Sequence, residues 1–401
     1  MSPTLLSATQ LARALAVRDL ADPAAGPHAM QTLVARIRGA LEGAWACETI
    51  EHRASPIVSV AENYDALHYP PGGAARDARY TRYVSADTLL RSHTTAMSPP
   101  LLRRLAADAP RDVLLLCPGL VYRRDTIDRL HTGEPHQMDA WRIAACWLTT
   151  DDLRQMAALV VGAALPGAEH RVVPAVHPYT VDGLQIDVLY RGEWVEVGEC
   201  GMALPALLAE AGLDTSAYTG LAMGLGLDRL LMLAKGIDDI RLLRSPDPRI
   251  SRQMLDLEPY RPVSNQPPIR RDLSVAVPAD REPEELGDRV RAALGERVSS
   301  LKAVEVIAET PYEQVPPVAR ERIGMRPGQK NVLIRVVIRD LERTLTSDEA
   351  NALRDAVYAA IHEGDAWQWA SAPRGDGRRR PSRHVGGRPE MRVWARTAPG
   401  G

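Results

Sequence analysis

Strand-like runs alternate with loops between residue 87 and about residue 245, and this alternation leaves few folds open to the chain. The runs are rich in branched apolar residues: VLLLC (113–117), RVVPAV (171–176), LQIDVLY (184–190) and EWVEV (193–197). The stretch LAMGLGLDRLLMLAKG (221–236) then opens with glycines and becomes helical. A doubly wound sheet would instead alternate its strands with helices. The pattern therefore predicts an α+β fold in which helices flank an antiparallel sheet.

An amphipathic helix is predicted over residues 28–45, ahead of the sheet, because apolar side chains recur there at three- and four-residue steps. Gly26-Pro27 punctuates the start of this helix. A short strand is predicted over 57–60, and the turn-forming residues of 62–77 predict a loop.

The C-terminal part of the chain has a different order of elements, namely strand, helix, strand, strand, helix. This order suits a ferredoxin-like α+β sandwich. Thr346 and Glu349 have the spacing of a capping box at the start of the last helix. The predicted elements are DLSVAV (272–277), a helix near 283–295, AVEVI (303–307), NVLIRVVIR (331–339) and a helix over 346–362.

Five segments follow from these patterns. They are an N-terminal extension (1–25), a first domain (26–256), a proline-rich linker (257–268), a ferredoxin-like domain (269–364) and a basic tail (365–401). Within the tail, residues 373–401 hold eight arginines against one aspartate and one glutamate, which predicts disorder. Such a tail either adds nonspecific affinity for nucleic acid or is a passive end.

The overall charge excludes a chain that binds polyanions over its whole surface. The formal net charge is −2, so contacts with nucleic acid must come from local patches. The four cysteines are scattered without metal-ligand spacing, which favours reduced thiols in the cytoplasm. We see neither a signal-peptide pattern nor an apolar run of about 18 residues, so neither secretion nor a membrane span is predicted.

The segment VYRRDTIDRLHTGEPHQMD (121–139) concentrates residues that suit catalysis. We expect one strand to carry Arg123, Arg124 and Asp125, a loop to carry His131, and a second strand to carry Gln137 and Asp139. Such a hairpin places a cation and several hydrogen-bonding groups on one face. By itself the pattern also fits an exposed hairpin with ordinary surface charges.

This segment resembles motif 2 of the class II aminoacyl-tRNA ligases, and of the phenylalanine enzymes in particular. The resemblance rests on Tyr122-Arg123-Arg124-Asp125, Asp128, His131 and His136-Gln137-Met138-Asp139. The stretch 220–243, with Gly224, Gly226, Asp228 and Arg229, resembles motif 3 of the same family. Three further stretches resemble these enzymes: NYDALHYPP, LLRSHTT (89–95) and EWVEVGECGM (193–202). SNQPPIRRDLSVAV (264–277) and residues 328–350 resemble their ferredoxin-like anticodon-binding domain, so the likeness covers about 26–364.

The resemblance implies a site for ATP and Mg2+. Arg123 would hold the α-phosphate and the substrate carboxylate, Arg229 would hold the γ-phosphate, and His131 would lie near the triphosphate. A guanidinium suits both positions because it is planar, permanently charged and able to form paired hydrogen bonds. The implied ATP-binding residues are Arg123, Asp125, His131, Gly224, Gly226 and Arg229, with Arg123 and Arg229 catalytic.

The amino-acid pocket implied by the resemblance departs from that of the phenylalanine enzymes. Asp139 replaces a longer glutamate, and His177-Pro178-Tyr179 replaces a Phe-Pro-Phe loop whose rings stack on the substrate. The pocket therefore suits phenylalanine, a ring with a polar substituent, or a smaller or differently shaped amino acid. The implied amino-acid-binding residues are His93, Thr95, Gln137, Asp139, His177, Tyr179, Thr180 and Ala222.

The implied function is ATP-dependent activation of phenylalanine, or of a related aromatic amino acid, and its transfer to a Phe-type tRNA. The first alternative is the same chemistry with a non-standard amino acid, and the second is a non-catalytic sensor of tRNA or amino acid. We expect a cytoplasmic monomer or homodimer without membrane contact. Candidate tRNA contacts, which also fit a solvated sheet edge, are Arg270, Arg271, Lys330, Arg335 and Arg339.

The chain contains no phenylalanine at all. Typical usage would give roughly 16 in a chain of this length. A ligase that loaded an analogue onto a Phe-type tRNA would corrupt its own phenylalanine positions, and a chain without phenylalanine escapes this. A host proteome equally poor in phenylalanine would contradict this hypothesis.

Overall fold

The computed structural model describes residues 5–108, 111–263, 267–341 and 343–367. Most of the predicted basic tail, residues 368–401, therefore lies outside the described residues. The strands in chain order are β1 (Glu48–Glu51), β2 (Ile57–Ser59), β3 (Arg82–Tyr83), β4 (Thr88–Leu90), β5 (Asp112–Leu120), β6 (His136–Ala144), β7 (His170–Pro174), β8 (Thr180–Tyr190), β9 (Glu193–Ala203), β10 (Thr219–Gly226), β11 (Ile269–Pro278), β12 (Leu301–Pro311) and β13 (Gln329–Ile338).

The α-helices complete the two domains. In chain order they are α1 (Ala8–Leu15), α2 (Ala29–Trp45), α3 (Val60–Asn63), α4 (Ser98–Asp108), α5 (Thr150–Ala164), α6 (Pro205–Glu210), α7 (Leu227–Lys235), α8 (Pro248–Ser251), α9 (Pro283–Leu294), α10 (Pro317–Ile323) and α11 (Ser347–Ile361).

The predicted α+β architecture is confirmed by a seven-stranded sheet with the order β1-β5-β6-β10-β9-β8-β7. Its neighbouring strands pair antiparallel except at one edge, where β1 pairs parallel with β5. The helix predicted over 28–45 is present as α2, and His28 caps it by accepting a hydrogen bond from the Met30 N–H at 3.2 Å.

Helices cover both faces of this sheet, because successive strand residues point to opposite sides. On one face, Leu114, Met138 and Met223 pack with the apolar sides of α2, α5 and α7. On the other face, Trp141 and Ala222 pack with residues of α4 and α6. Gln137 and Asp139 of β6 alternate with Met138, so they lie on this second face.

The prediction that a strand carries Arg123, Arg124 and Asp125 is wrong. Strand β5 ends at Leu120 and β6 starts at His136, so these residues lie in the connecting loop 121–135. The Arg123 N–H still donates across the hairpin to the Gly133 carbonyl at 3.0 Å. The next residue leaves the hairpin pairing, because the Arg124 N–H donates to the Tyr80 carbonyl at 3.0 Å, outside the sheet. Arg291 in α9 donates to the Asp125 carbonyl at 2.5 Å.

The C-terminal domain has the predicted order of elements, with α10 as an additional short helix between β12 and β13. Its three strands pair antiparallel in the order β11-β13-β12, and α9 and α11 pack on one face. The capping box predicted for α11 is confirmed. Ile127, from loop 121–135 of the first domain, is buried in this core and its carbonyl accepts from the Val304 N–H at 2.7 Å.

Within the described ranges, no helix is both long and apolar enough to cross a bilayer. Trp367, which the sequence places in the predicted tail, packs edge-on against Tyr358 with ring centroids 5.6 Å apart.

Candidate active site

Three in-register residues on neighbouring strands define the floor of a cleft. Asp139 on β6 pairs with Gly224 on β10, and Gly224 pairs with Glu199 on β9. Residues in register share a face of the sheet, so two carboxylates flank a position that has no side chain. The cleft above them is lined by Tyr69, His93, Thr95, Arg123, Asp125, His131, Gln137, Asp139, Tyr179, Glu196, Glu199, Gly224, Gly226, Asp228 and Arg229, together with apolar neighbours.

Arg123 and Arg229 enter this one cleft from different elements. Arg123 lies in loop 121–135, and its Nε donates to the Ser92 carbonyl at 2.7 Å. Arg229 lies in the first turn of α7, directly after β10, and donates to the Glu196 carbonyl at 2.7 Å. A guanidinium has five N–H donors, so each tether leaves donors for an anionic ligand.

His131 reaches the cleft because Asp128 holds its loop. Asp128 accepts the backbone N–H groups of Leu130 and His131 at 2.7 and 2.9 Å, and its other oxygen lies 2.7 Å from His131 Nδ1. Burial opposes ionisation of Asp128, but the His131 ring and these N–H groups outweigh it and hold its pKa at about 2. The Asp128 carboxylate in turn raises the pKa of His131, which favours a cationic imidazole beside the cleft.

Asp139 is a buried carboxylate whose oxygens are already used by the protein. Thr94 and Thr95 donate to one oxygen at 2.7 and 3.1 Å, and the Trp141 indole donates to the other at 3.0 Å. Burial raises the pKa of Asp139 to about 6 despite these three hydrogen bonds.

Stability should therefore depend on the protonation of Asp139. The folded-state pKa of about 6 lies above the ordinary aspartate value of 3.8, so the folded chain binds this proton more tightly and loses stability as pH rises from about 4 to 6. We expect this loss to be about 3 kcal/mol. Asp139→Asn should abolish it, so urea denaturation at pH 4, 5, 6 and 7 should show the wild type losing stability relative to the variant as pH rises. A difference independent of pH would contradict the raised pKa.

Glu199 was not predicted as a site residue. The sequence offered one signal, its position in the strand EWVEVGECGM, but only the cross-strand register shows that it faces Asp139 across Gly224. Its carboxylate is 3.0 Å from His177 Nε2, and this ring lowers the pKa of Glu199. Tyr69, from the predicted loop 62–77, was also missed and stacks on His93 with centroids 5.4 Å apart.

Three predicted pocket residues lie outside the lining of the cleft. His177 does not line the cleft, and its Nε2 lies 3.0 Å from the Glu199 carboxylate. Thr180 packs against Gly201 so closely that a Cβ on residue 201 would be 2.5 Å from the threonine Cβ. Ala222 is buried beneath aromatic side chains. The other predicted ATP and amino-acid residues are brought together by the fold.

The predicted tRNA contacts lie on or beside the C-terminal sheet, and several are already paired. Lys330 lies 2.8 Å from Glu309, and Arg335 makes two 2.9 Å contacts with Asp272. Arg271 donates to Asn351, while Arg270 is exposed. The Arg339 backbone N–H donates to the Ser300 carbonyl at the end of β13.

Comparison with known families agrees with this geometry. The family described as "tRNA synthetases class II core domain (F)" matches residues 23–254, more than half of the chain. The chain belongs to the class II tRNA synthetases. The family described as "Ferredoxin-fold anticodon binding domain" matches residues 264–364 of this class II synthetase.

Curated relatives of this class II synthetase carry the name phenylalanine–tRNA ligase. The alpha subunit from Prochlorococcus marinus (strain NATL2A) is 38% identical over 191 residues, which are 48% of this chain and 56% of that protein. The chloroplastic/mitochondrial enzyme from Arabidopsis thaliana is 28% identical over 323 residues, 77% of this chain and 70% of that protein. The chain thus spans about half the length of the alpha subunits it matches.

Among solved structures, the pyrrolysyl-tRNA synthetase from Desulfitobacterium hafniense aligns with a TM-score of 0.44 and 17% identity. The alignment covers 55% of this chain and 74% of that one.

Proposed function

We propose that this chain activates an amino acid with ATP and transfers it to the 3′ end of a tRNA. The observation that carries the proposal is that Arg123 and Arg229, 106 positions apart in the sequence, line one cleft together with Asp139. Activation joins a carboxylate to the α-phosphate while pyrophosphate leaves. Both reactants are anionic, so fixed cations on both ends of the triphosphate supply positioning and electrostatic stabilisation.

The roles follow from the positions of the side chains. Arg123 would hold the α-phosphate and the substrate carboxylate, and Arg229 with His131 would hold the outer phosphates. Asp139 and Glu199 flank Gly224, and a substrate ammonium group would be attracted to the floor between them.

Mg2+ fits this cleft with few protein ligands. No group of three or more His, Cys, Asp or Glu side chains in the described part of the chain could hold a metal by itself. Mg2+ commonly uses one or two carboxylates and the substrate phosphates. Glu196 lines the cleft and its carboxylate interacts electrostatically with Arg229 and Glu199, so it would be the protein ligand. When bound, the ion would neutralise charge on the phosphates.

The partners would be an amino acid and a tRNA. The C-terminal domain would contact the anticodon region, with exposed Arg270 the best placed of the predicted contacts. Its presence on this chain supports a monomer or homodimer, although the bacterial relatives are named alpha subunits. We place the reaction in the cytoplasm, where ATP and tRNA meet.

The relatives' names favour phenylalanine and a Phe-type tRNA. Whether phenylalanine fits depends on whether a ring can reach Ala222. A non-standard amino acid is the first alternative, because His177 and Tyr179 differ from the stacking pair implied by the resemblance. A non-catalytic sensor is the second, and it is disfavoured because such a protein has no need for both arginines.

Amino-acid-dependent exchange between ATP and pyrophosphate tests the proposal. We expect exchange with at least one of the twenty amino acids, and charging of total tRNA with that same amino acid. If none of the twenty supports exchange but a non-standard amino acid such as a meta-substituted phenylalanine does, the first alternative is favoured. Exchange with neither group, by a folded chain that still binds tRNA or an amino acid, would favour the sensor.

A further inference from the structure

The geometry of the cleft points to an amino acid with a short, uncharged, hydrogen-bonding side chain, of the size of serine or threonine, and not to an aromatic one. We propose this substrate class for the site, and the proposal rests on the ligase function proposed above. It follows from what covers the sheet next to the two carboxylates.

The relevant part of the sheet consists of two rows of in-register residues. The first row is Asp139, Gly224 and Glu199, which line the cleft. The second row, two residues further along each strand and about 7 Å away, is Trp141, Ala222 and Gly201. A ring bound with its ammonium group near the first row would have to extend over the second.

The second row is already covered by the protein's own side chains. Trp141 is fully buried, and its indole points along β6 to donate to Asp139. Tyr179 stacks on Trp141 with centroids 6.1 Å apart, and Thr180 packs on Gly201. Ala222 between them is only 1% exposed. A substrate ring could reach Ala222 only by displacing packed aromatic side chains.

The space that remains beside the first row is short and polar. Thr95, His93 and Glu199 line it, and the aromatic edges of Tyr69 and Tyr179 close it. The ring nitrogens of His93 have at most a poorly formed hydrogen bond to the Asn63 backbone in the described part of the chain, so this ring has hydrogen-bonding capacity left for a ligand.

These walls suit a hydroxyl group better than a methyl group or a benzene ring, because a buried polar group left unpaired is costly. An acidic side chain would meet the carboxylates of Asp139 and Glu199, and a long basic one has no room. The class that remains is short, uncharged and able to both donate and accept.

The first test is the exchange reaction of the wild-type chain with each of the twenty amino acids. We expect serine or threonine to give the highest kcat/KM, at least 100-fold above that of phenylalanine. Any other best substrate overturns the inference and leaves the ligase function standing. Exchange with no amino acid overturns the proposed function and this inference with it.

The second test replaces Trp141, the side chain that lies next to Ala222 and limits access to it. Trp141→Leu keeps an apolar side chain but frees space above Ala222, so kcat/KM for phenylalanine should rise at least tenfold. Trp147, whose exposed fraction is 79%, provides the matched control. Trp147→Leu should change neither kcat/KM for phenylalanine nor kcat/KM for serine or threonine. A folded Trp141→Leu variant that gains nothing with phenylalanine would show that the indole does not block the ring. If that variant fails to fold, the wild-type ratio decides.

Discussion

Replacing Arg123 with alanine should lower kcat/KM for amino-acid-dependent exchange by about 1000-fold or more. Arg123 is the arginine of loop 121–135 that lines the cleft, together with His93, Thr95 and Asp139. Without it, two anions would approach each other with no fixed counter-charge at the reacting phosphate. Removing a single stabilising donor costs about 10²–10³ in comparable sites, and removing a phosphate-binding arginine costs about 10³–10⁵.

Two further variants distinguish the loss of the Arg123 side chain from a general distortion of loop 121–135. Arg124 is the adjacent arginine but faces Asp288 of the C-terminal domain at 3.6 Å, so Arg124→Ala should retain exchange within about tenfold. Arg123→Lys keeps the charge and loses the planar pair of donors, so it should fall between wild type and alanine. Equal losses for Arg123→Ala and Arg124→Ala would indicate a distorted loop and no direct role for Arg123.

The sequence predicted the sheet and the C-terminal sandwich because both rest on local patterns. The first five residues of LQIDVLY alternate between apolar and polar, and this run is part of β8. The Thr346–Glu349 spacing defines the start of α11. The motif resemblance predicted that Arg123 and Arg229 bind the same nucleotide, and both side chains line one cleft in the fold.

What the sequence did not predict depends on contacts between distant segments. The backbone partners of Arg124 and Asp125 are Tyr80 and Arg291, so the loop leaves the sheet where its residue types alone suggested a strand. The facing of Asp139 and Glu199 needs the register of three strands, and no local pattern specifies register across β10. The cover over Ala222 likewise needs the stacking of Trp141 on Tyr179.

The largest effect on stability is expected at Asp228, the acidic neighbour of Arg229. Its buried carboxylate accepts the His136 backbone N–H and lies 3.1 Å from His136 Nδ1. The Leu20 N–H donates to His136 Nε2 at 2.9 Å, so this imidazole is neutral with its proton on Nδ1, and it donates to Asp228. These hydrogen bonds connect Leu20 of the N-terminal segment, His136 at the start of β6 and Asp228 of α7.

Asp228→Ala should lower the free energy of unfolding by about 3–5 kcal/mol, because losing a charged hydrogen-bond acceptor costs about 1.5–3 kcal/mol for each buried donor. Two buried N–H groups lose their acceptor, and the buried guanidinium of Arg244, 3.3 Å from His136 Nε2, loses a nearby opposite charge. Urea denaturation followed by tryptophan fluorescence measures the loss.

The matched control for Asp228 is Asp238, another aspartate of the same domain with an arginine partner. Asp238 lies 2.6 Å from Arg191, but both side chains are about 60% exposed. Solvent screens such a pair, so Asp238→Ala should cost no more than about 1 kcal/mol. If the two variants lost equal stability, burial would not be what gives the Asp228–His136 contact its strength. The position of Arg229 at the start of α7 would then have to be maintained by the packing of Leu227, Leu230 and Leu231 alone.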